Sequence, residues 1–371
     1  MAWRLHRHQL DRRRTGASPQ ELAERLCGIH AQVLSSAELA LAIRVEGADR
    51  QSIRADLLER RALVKTWAMR GTLHLLSSRA HPFLTAALTV NHEYWSADGL
   101  TPAEQDVHQV TDVVGPLLRG RCLTRAELAA EVGGELGRPD LEAALNHGFG
   151  PLLKPAALSG QLCFGPPRGR QVTFMHPADW APQAWQAAQP DAAAAQGDLL
   201  RAFLGGYGPT PPADIARWWG GLKVGHLNNI RRQIEQEILT VEVEGRRCWM
   251  LREDFEAVSQ LPPSRTIRML GGFDPYTVTL PRGVEHLLPK AARPLVYRTA
   301  GWISPVVTAG ATVVGTWRPP ERPDAPLPIE LLRPLTAGER NELEEQTQLI
   351  CGLLNTSAGC TVRPANGAAA D

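Results

Sequence analysis

The sequence lacks the patterns that identify a disulfide-rich, zinc-ribbon or membrane protein. Its six cysteines are scattered without a Cys-x-x-Cys pair, so neither a disulfide scaffold nor a zinc ribbon is indicated. No run of 18 apolar residues occurs, and the charged N-terminal stretch has no apolar core of a signal peptide. We therefore expect a protein of the reducing cytoplasm with no membrane partner.

The common catalytic motifs are absent as well. There is no Gly-x-Ser-x-Gly, no Walker loop and no Gly-x-Gly-x-x-Gly. His92-Glu93 opens a His-Glu-x-x-His pattern, but Ser96 stands where the second histidine should be. We predict no metal and no cofactor.

An excess of charge of either sign is also missing. The chain has 40 Lys and Arg against 39 Asp and Glu, a net charge of +1. A nucleic-acid surface would therefore need basic side chains gathered on one face. Local basic pairs occur at Arg60 and Arg61, Arg168 and Arg170, Arg231 and Arg232, and Arg246 and Arg247. Most such pairs are solvated surface charges.

What the sequence contains is a recurring order of helices and hairpins. Its 371 residues, 43% of them hydrophobic, are enough for two to four compact units. Ser18 and Glu21 form a capping-box pattern that predicts a helix to about Cys27, and further helices are predicted over 36–45 and 50–61. Two β-prone runs over 63–76 follow. Three helices and a hairpin are the order of a winged helix.

This order recurs twice. A helix over 102–118, a short helix that starts at the capping box Thr124-Arg125-Ala126-Glu127 and a helix over 140–147 precede a hairpin over 158–176. A Pro/Ala-rich linker is predicted over 177–196. A third set ends in a hairpin over 240–250. We thus predict winged-helix units at 1–98, 99–180 and 181–260.

The last third of the chain reads as a β-domain, 261–356. Strands are predicted over 266–270, 294–297, 302–307 and 312–317, a closing helix over 337–354, and a disordered tail over 357–371. The predicted fold class is α+β, mainly helical, with three tandem winged-helix units around a C-terminal β-barrel or small antiparallel sheet.

One short stretch near the N-terminus is the strongest candidate for chemistry. In Leu26-Cys27-Gly28-Ile29-His30-Ala31-Gln32, an extended backbone would point His30 and Gln32 the same way and turn Ile29 and Ala31 inward. An imidazole and an amide could then act together on a water or a sugar. The alternative is that both are ordinary polar residues at a helix end.

The chain resembles a known family over nearly its whole length. The motifs, in order, are Leu26 to Gln32, Trp67-Ala68-Met69-Arg70-Gly71-Thr72-Leu73-His74, Gly208-Pro209-Thr210, Phe273-Asp274-Pro275-Tyr276, Gly301-Trp302-Ile303 and Gly315-Thr316-Trp317-Arg318. They are similar to those of the AlkZ/YcaQ winged-helix DNA glycosylases. That resemblance implies tandem winged helices around a β-barrel and excision of alkylated purines, in some members from interstrand cross-links made by antibiotics.

The resemblance also implies the catalytic residues, His30 and Gln32. The family motif is Gln-x-Gln in one branch and Gln-x-Asp in the other, so Gln32 matches the first and His30 replaces a glutamine. Imidazole, like the amide, offers a donor and an acceptor. We expect Gln32 to orient the attacking water and neutral His30 to share that task or to accept its proton.

Further residues are assigned to DNA or to support of the site. The predicted DNA-binding residues are Arg70, His74, Arg168, Arg170, Arg231, Arg246 and Arg318. Trp67, Asp274 and Tyr276 are possible supports, although Trp67 is of a type more often found in a core, and Asp274 and Tyr276 would also fit as braces of the β-domain.

Together these observations predict a monomeric, monofunctional DNA glycosylase without cofactor. Its expected substrate is double-stranded DNA carrying bulky N7- or N3-alkylated purines, including interstrand cross-links, in base excision repair or self-resistance to a genotoxic natural product. Its expected location is the cytoplasm, with the nucleoid. The alternative is a non-catalytic winged-helix DNA-binding protein, either a regulator or a lesion-binding protector. Abasic sites in treated DNA distinguish the two.

Overall fold

The computed structural model describes residues 1–88, 103–147, 150–187, 190–281, 283–322, 324–356 and 359–364. The His92-Glu93 stretch and most of the predicted tail lie outside these residues. The described chain is α+β and mainly helical, as predicted. It divides into two compact units that are discontinuous in sequence. The first comprises Met1–Arg54, Leu204–Pro209 and Met250–Asp371, and the second Ala55–Phe203 and Thr210–Trp249.

Helices make up most of the described chain up to residue 260. They are α1 Ala2–Arg7, α2 Pro19–Arg25, α3 Leu34–Ala42, α4 Arg50–Leu58, α5 His81–Leu88, α6 Glu104–Leu118, α7 Arg125–Leu136, α8 Pro139–His147, α9 Lys154–Leu158, α10 Pro177–Trp180, α11 Pro182–Ala187, α12 Ala192–Tyr207, α13 Pro212–Trp219, α14 Val224–Gln233 and α15 Phe255–Gln260. Three more follow, α16 Pro275–Val278, α17 Arg293–Val296 and α18 Ala337–Leu354.

The strands are short in both units. They are β1 Ile29–His30, β2 Leu63–Trp67, β3 Leu73–Ser77, β4 Leu123–Thr124, β5 Cys163–Phe164, β6 Thr173–Met175, β7 Ile238–Val243, β8 Arg246–Leu251, β9 Ile267–Leu270, β10 Val306–Ala309, β11 Thr312–Trp317, β12 Leu327–Leu331 and β13 Cys360–Pro364.

Two helix starts were predicted from capping boxes, and both are confirmed. The Ser18 hydroxyl accepts from the Glu21 amide at the start of α2, and the Glu21 carboxylate accepts from the Ser18 amide at 2.9 Å. Thr124 and Glu127 form the same pair at the start of α7. Each box satisfies backbone donors that a helix N-terminus leaves unpaired.

The second unit contains the predicted hairpin. Strands β2 and β3 pair antiparallel from Leu63 opposite Ser77 to Trp67 opposite Leu73. Within this unit the strand order is β3-β2-β5-β6-β4. Strands from two of the predicted winged-helix units therefore share one sheet. The predicted linker is also partly wrong, because α10 and α11 form within it.

The first unit contains a five-stranded sheet in the order β13-β12-β11-β10-β9. Its pairs are antiparallel except β12 with β13, which is parallel. The end strands β9 and β13 do not pair with each other among the described residues, so the sheet is open. Of the two predicted forms, the barrel is not formed, and the small antiparallel sheet is, apart from the parallel pair β12–β13.

Two local predictions in the β-domain were wrong. Residues 294–297, predicted as a strand, lie mostly in helix α17. The predicted disordered tail includes strand β13, which is ordered because its backbone pairs with β12 from Leu327 opposite Cys360 onward. Neither outcome is visible from local propensity, because the tertiary partner decides it.

The sheet of the first unit packs against α18 and α16 to form an apolar core. Trp317 and Tyr276 are fully buried in it, and the Trp317 indole donates to the Leu270 carbonyl at 2.9 Å. Leu270 and Tyr276 belong to this core and flank the loop that carries Phe273 and Asp274.

Candidate active site

A tight turn after α2 delivers the chain to His30. The Gly28 amide donates to the Ala23 carbonyl at 2.7 Å, and the Cys27 amide donates to the Glu24 carbonyl at 3.0 Å. These two bonds form a Schellman motif that ends the helix. Cys27 has φ 53° and Gly28 has φ 105°. A side chain at Gly28 would be strained, so glycine there permits the sharp entry into β1.

His30 and Gln32 differ in exposure. Ile29 and Ala31 are fully buried, as the alternating pattern predicts, while the His30 side chain is 8% exposed and Gln32 is exposed. His30 ends the short strand β1, and Gln32 lies in the bend before α3. The motif stretch therefore carries a buried imidazole and, two positions later, an exposed amide.

Tyr207 secures this turn from a distant part of the chain. Its buried hydroxyl donates to the Leu26 carbonyl at 2.9 Å. The neighbouring Gly206 lies so close that a Cβ there would be 2.8 Å from the Arg25 carbonyl oxygen. The sequence analysis missed Tyr207. The nearby Gly208-Pro209 pair in the family motif was the available signal.

Phe273 places an aromatic ring beside His30. The two ring centroids are 6.3 Å apart and the planes are inclined by 23°. Phe273 is buried and has φ 57°, an unfavourable conformation for a bulky residue. Its amide donates to the Ile303 carbonyl at 3.3 Å, which joins the loop to the segment that carries Trp302. Phe273 belongs to the motif Phe273-Asp274-Pro275-Tyr276 but was not among the predicted site residues.

Asp274, a predicted support, forms a buried ion pair with Arg44. The guanidinium donates to the two carboxylate oxygens at 2.8 and 2.7 Å, and both side chains are completely buried. Asp274 also accepts from the Tyr276 amide at 2.9 Å and caps α16. Arg44 follows α3, so the pair ties the helix after Gln32 to the loop of Phe273. Arg44 was missed.

Four buried titratable groups near the turn are held in their neutral forms. Burial raises the pKa of the Cys27 thiol to about 12, so it supplies no thiolate nucleophile near neutral pH. Burial, with the charges of Arg44 and Arg4, lowers the pKa of His8 well below its usual value. Burial also raises the pKa of the Tyr207 and Tyr276 hydroxyls. In this group, Tyr276 donates to the Ala311 carbonyl at 2.7 Å, a structural contact.

Trp67 lies in the core of the second unit. It is 5% exposed and packs on Phe164 and Phe174 at centroid distances of 4.9 and 6.2 Å. A Cβ at Gly150 would come within 2.8 Å of its ring. These contacts favour the core interpretation of Trp67 over a role as site support.

Arg168 and Arg170 occupy the turn between β5 and β6 but differ in their contacts. Arg168 donates to both carboxylate oxygens of Glu127, at 2.8 and 2.9 Å, and to the Cys122 carbonyl. Arg170 is exposed, and its guanidinium makes no ion pair or hydrogen bond with other described residues. Arg170 is therefore the better placed of the two for a phosphate.

Three of the other predicted DNA-binding arginines have acidic neighbours. Arg231 lies 3.6 Å from Glu235 and stacks over Trp249, Arg246 lies 3.3 Å from Asp214, and Arg318 lies 3.7 Å from Glu330. Arg318 is the most exposed of the three, at 63%. Exposed pairs of this kind are weak, so they leave the guanidinium able to exchange partners.

His74 is not placed as a DNA-binding residue would be. It is 1% exposed, and its Nδ1 donates to the Thr72 carbonyl at 2.9 Å. Burial and the nearby Arg70 lower its pKa to about 3, so it is neutral at physiological pH. A buried, neutral imidazole is not placed to bind a phosphate, so the structure does not agree with the predicted role of His74. Arg70 itself is half-buried, at φ 59° in the turn between β2 and β3.

The described residues contain no group of three His, Cys, Asp or Glu side chains that could hold a metal ion. Within the same parts of the chain, no helix is both long and apolar enough to cross a bilayer.

Comparisons with known proteins define the class. The family model described as DNA glycosylase AlkZ-like matches residues 23–352. An interstrand DNA cross-link repair glycosylase of Streptomyces sahachiroi is 39% identical over 327 residues, covering 85% of this chain and 86% of the relative. The solved structure of the Streptomyces sahachiroi DNA glycosylase AlkZ matches with a TM-score of 0.87 and 33% identity over 98% of each chain.

The chain belongs to the AlkZ-like DNA glycosylase family. The predicted enzyme class, a DNA glycosylase, is thereby confirmed.

Proposed function

We propose that this glycosylase releases N7- or N3-alkylated purines from double-stranded DNA, including purines joined in interstrand cross-links. The observation that carries the proposal is the placement of His30 and Gln32 on one short stretch, with Gln32 open to solvent and His30 against Phe273. A relative at 39% identity is named for repair of interstrand cross-links. We further propose a role in base excision repair that gives self-resistance to a DNA-alkylating natural product.

The chemistry suits modest side chains. Alkylation at N7 or N3 makes the purine cationic, so the electron pair of the glycosidic bond moves to the ring and the base leaves neutral. Water adds to C1′ of the sugar and loses one proton. Gln32 orients this water, and neutral His30 accepts the proton. No strong general acid is needed, because the positive charge of the alkylated purine already makes it a good leaving group.

The Arg44–Asp274 pair and Tyr207 support this chemistry through rigidity. They fix the two ends of the stretch that carries the motif, the turn at Leu26 and the helix after Gln32. Small errors in the position of a water-orienting group are costly in rate.

Contact with DNA is proposed for the exposed cations, Arg170 first, since its guanidinium has no partner among the described residues. Phosphate contacts of this kind position the duplex without reading its sequence. The tandem winged-helix arrangement and the monomeric state remain predictions.

The test is a glycosylase assay on duplexes that carry single defined adducts. N7-methylguanine, bulky N7-alkylguanine, N3-methyladenine and an N7–N7 cross-link are incubated with excess protein. Alkaline cleavage then reports abasic sites, and mass spectrometry identifies the released base. We expect release of bulky and cross-linked purines by the natural protein and none from unmodified duplex.

Two controls separate the alternatives. Gln32→Ala should bind the same duplexes but release little base. In a host that is sensitive to an alkylating natural product, the natural protein should give resistance and Gln32→Ala should not. If no adduct is released although lesion DNA is bound, the protein is a lesion-binding protector instead.

A further inference from the structure

Three aromatic rings form a row that leads from the candidate active site to the surface. His30 lies beside Phe273, and Phe273 meets Trp302 edge to face, with centroids 5.1 Å apart and planes inclined by 76°. All three residues belong to the first unit. The indole is thus two ring contacts from the imidazole.

Trp302 is the exposed end of this row. It is 46% exposed, whereas every other tryptophan in the described part of the chain is buried or half-buried. A large aromatic side chain left open to water forgoes the stabilisation that burial would bring. An open indole next to a candidate active site is therefore best explained by a ligand that covers it.

The backbone holds Trp302 firmly. The turn before it contains Ala300 at φ 55° and Gly301 at φ 71°. The Trp302 amide donates to the Thr299 carbonyl at 3.2 Å, and its carbonyl accepts from the Arg298 amide at 2.9 Å. A side chain presented on a fixed turn loses little conformational freedom when it binds.

The loop of Phe273 is also packed closely against its surroundings. A Cβ at Gly272 would be 3.0 Å from the Ile303 carbonyl oxygen, and one at Gly271 would be 3.3 Å from a methyl carbon of Leu39 in α3. Glycine at these positions allows the loop to approach both the segment of Trp302 and the helix after Gln32. The spacing between the motif and the indole is therefore set by backbone contacts.

We propose that Trp302 stacks on a flat aromatic ring of the DNA substrate beside the scissile nucleotide and thereby sets which lesions are bound well. The inference rests on the proposed glycosylase function. The ring is either a base next to the lesion or an aryl group of the adduct. Both offer a π face, and stacking of this type tolerates any base.

The experiment compares Trp302→Phe and Trp302→Leu with the natural protein. Phe255→Leu is the matched control, because Phe255 is an aromatic residue of the same unit with similar exposure, 48%. Each protein is given N7-methylguanine and an N7-guanine adduct bearing an aryl group, in one duplex sequence. Single-turnover rates measured over a range of protein concentrations give the half-saturating protein concentration and the maximal rate as separate quantities. Thermal unfolding shows whether each variant is folded.

We expect Trp302→Leu to raise the half-saturating concentration about tenfold and to leave the maximal rate little changed. Trp302→Phe should have a half-saturating concentration close to that of the natural protein. Equal losses on both adducts identify a neighbouring base, and replacing that base by an abasic spacer should then reproduce the loss with the natural protein. A loss confined to the aryl adduct identifies the adduct.

Two results overturn the inference. One is natural behaviour of Trp302→Leu on both adducts, and the other is equal impairment of Trp302→Phe and Trp302→Leu, which indicates a shape requirement unrelated to stacking. Failure of the proposed function is distinct, because the natural protein itself would then release neither base.

Discussion

Arg44 and Asp274 form a bidentate ion pair from which water is fully excluded, although 230 positions separate them in the chain. The same guanidinium donates to the His8 and Ala40 carbonyls at 2.9 and 2.7 Å. Arg44 therefore makes four hydrogen bonds through all three nitrogens of its guanidinium. A buried charge is tolerated when it is paired and hydrogen-bonded in this way.

Removing one partner of this pair should cost much of the stability of the first unit. Asp274→Asn keeps the shape and a helix-capping oxygen but leaves Arg44 as an uncompensated buried charge, at a cost of about 3–5 kcal/mol. Urea unfolding followed by circular dichroism measures the change. Arg44→Met combined with Asp274→Leu should lose less than the two single variants predict together, and strict additivity would contradict the coupling.

Gln32→Ala should lower single-turnover base release by about two to three orders of magnitude, because one oriented hydrogen-bonding group is lost from the transition state. Affinity for lesion DNA should change little, since Gln32 lies at the surface and carries no charge. Fluorescence anisotropy and quenched-reaction rates measure the two quantities. Gln20→Ala, a change in α2 of the same type, is the control. An unchanged rate for Gln32→Ala would place the site elsewhere.

His30→Gln should alter the pH dependence of base release. An imidazole can take up a proton as the pH is lowered, whereas an amide cannot. A protonated His30 would repel the cationic base and could not accept a proton from water, so the natural rate should fall as the pH is lowered. The variant should keep measurable activity with a flatter acid limb. Rates are corrected at each pH for spontaneous base loss, and superimposable profiles would remove the imidazole from the chemistry.

Two buried histidines should make the second unit sensitive to acid. Burial lowers the pKa of His74 and of His81 to about 3, below the usual histidine value of about 6.5 in an unfolded chain. Between these values only the unfolded state binds the proton, so stability is complete above about pH 6.5 and falls as the pH drops toward 3. His81→Phe keeps the ring packing on Trp185 and removes one such proton.

The slope of unfolding free energy with pH should therefore decrease by about 1.4 kcal/mol per pH unit between pH 4 and 5 in His81→Phe. Urea unfolding at several pH values gives this slope. The same slope in both proteins would mean that His81 takes up its proton in the folded state.

Arg170→Ala should weaken binding to every duplex alike and reduce the slope of log affinity against log salt by about 0.9, the effect of one lost phosphate contact. Arg168→Ala is the matched comparison. Its guanidinium is already paired with Glu127, so its effect should be smaller. Titrations at four salt concentrations measure both slopes. A salt slope that neither variant changes would exclude this turn from the DNA contact.

Local signals explain the parts of the fold that were predicted well. The capping boxes at Ser18 and Thr124, the hairpin from Leu63 to Ser77 and the helix Ala337–Leu354 all depend on residues close in sequence. Their hydrogen bonds join residues no more than 14 positions apart, the separation of Leu63 and Ser77, so side-chain type and spacing suffice. The motif stretch was located by the same means, together with its family resemblance.

The sequence by itself determined the helix starts, the hairpin, the motif stretch and the family. Only the tertiary structure decided that Arg44 pairs with Asp274, that Tyr207 holds the turn at Leu26 and that Phe273 lies beside His30. It also decided that residues 360–364 form a strand and that His74 is buried and neutral. The physical reason is that each of these depends on which distant segment excludes water from a group or pairs with its backbone, and local propensity carries no record of that partner.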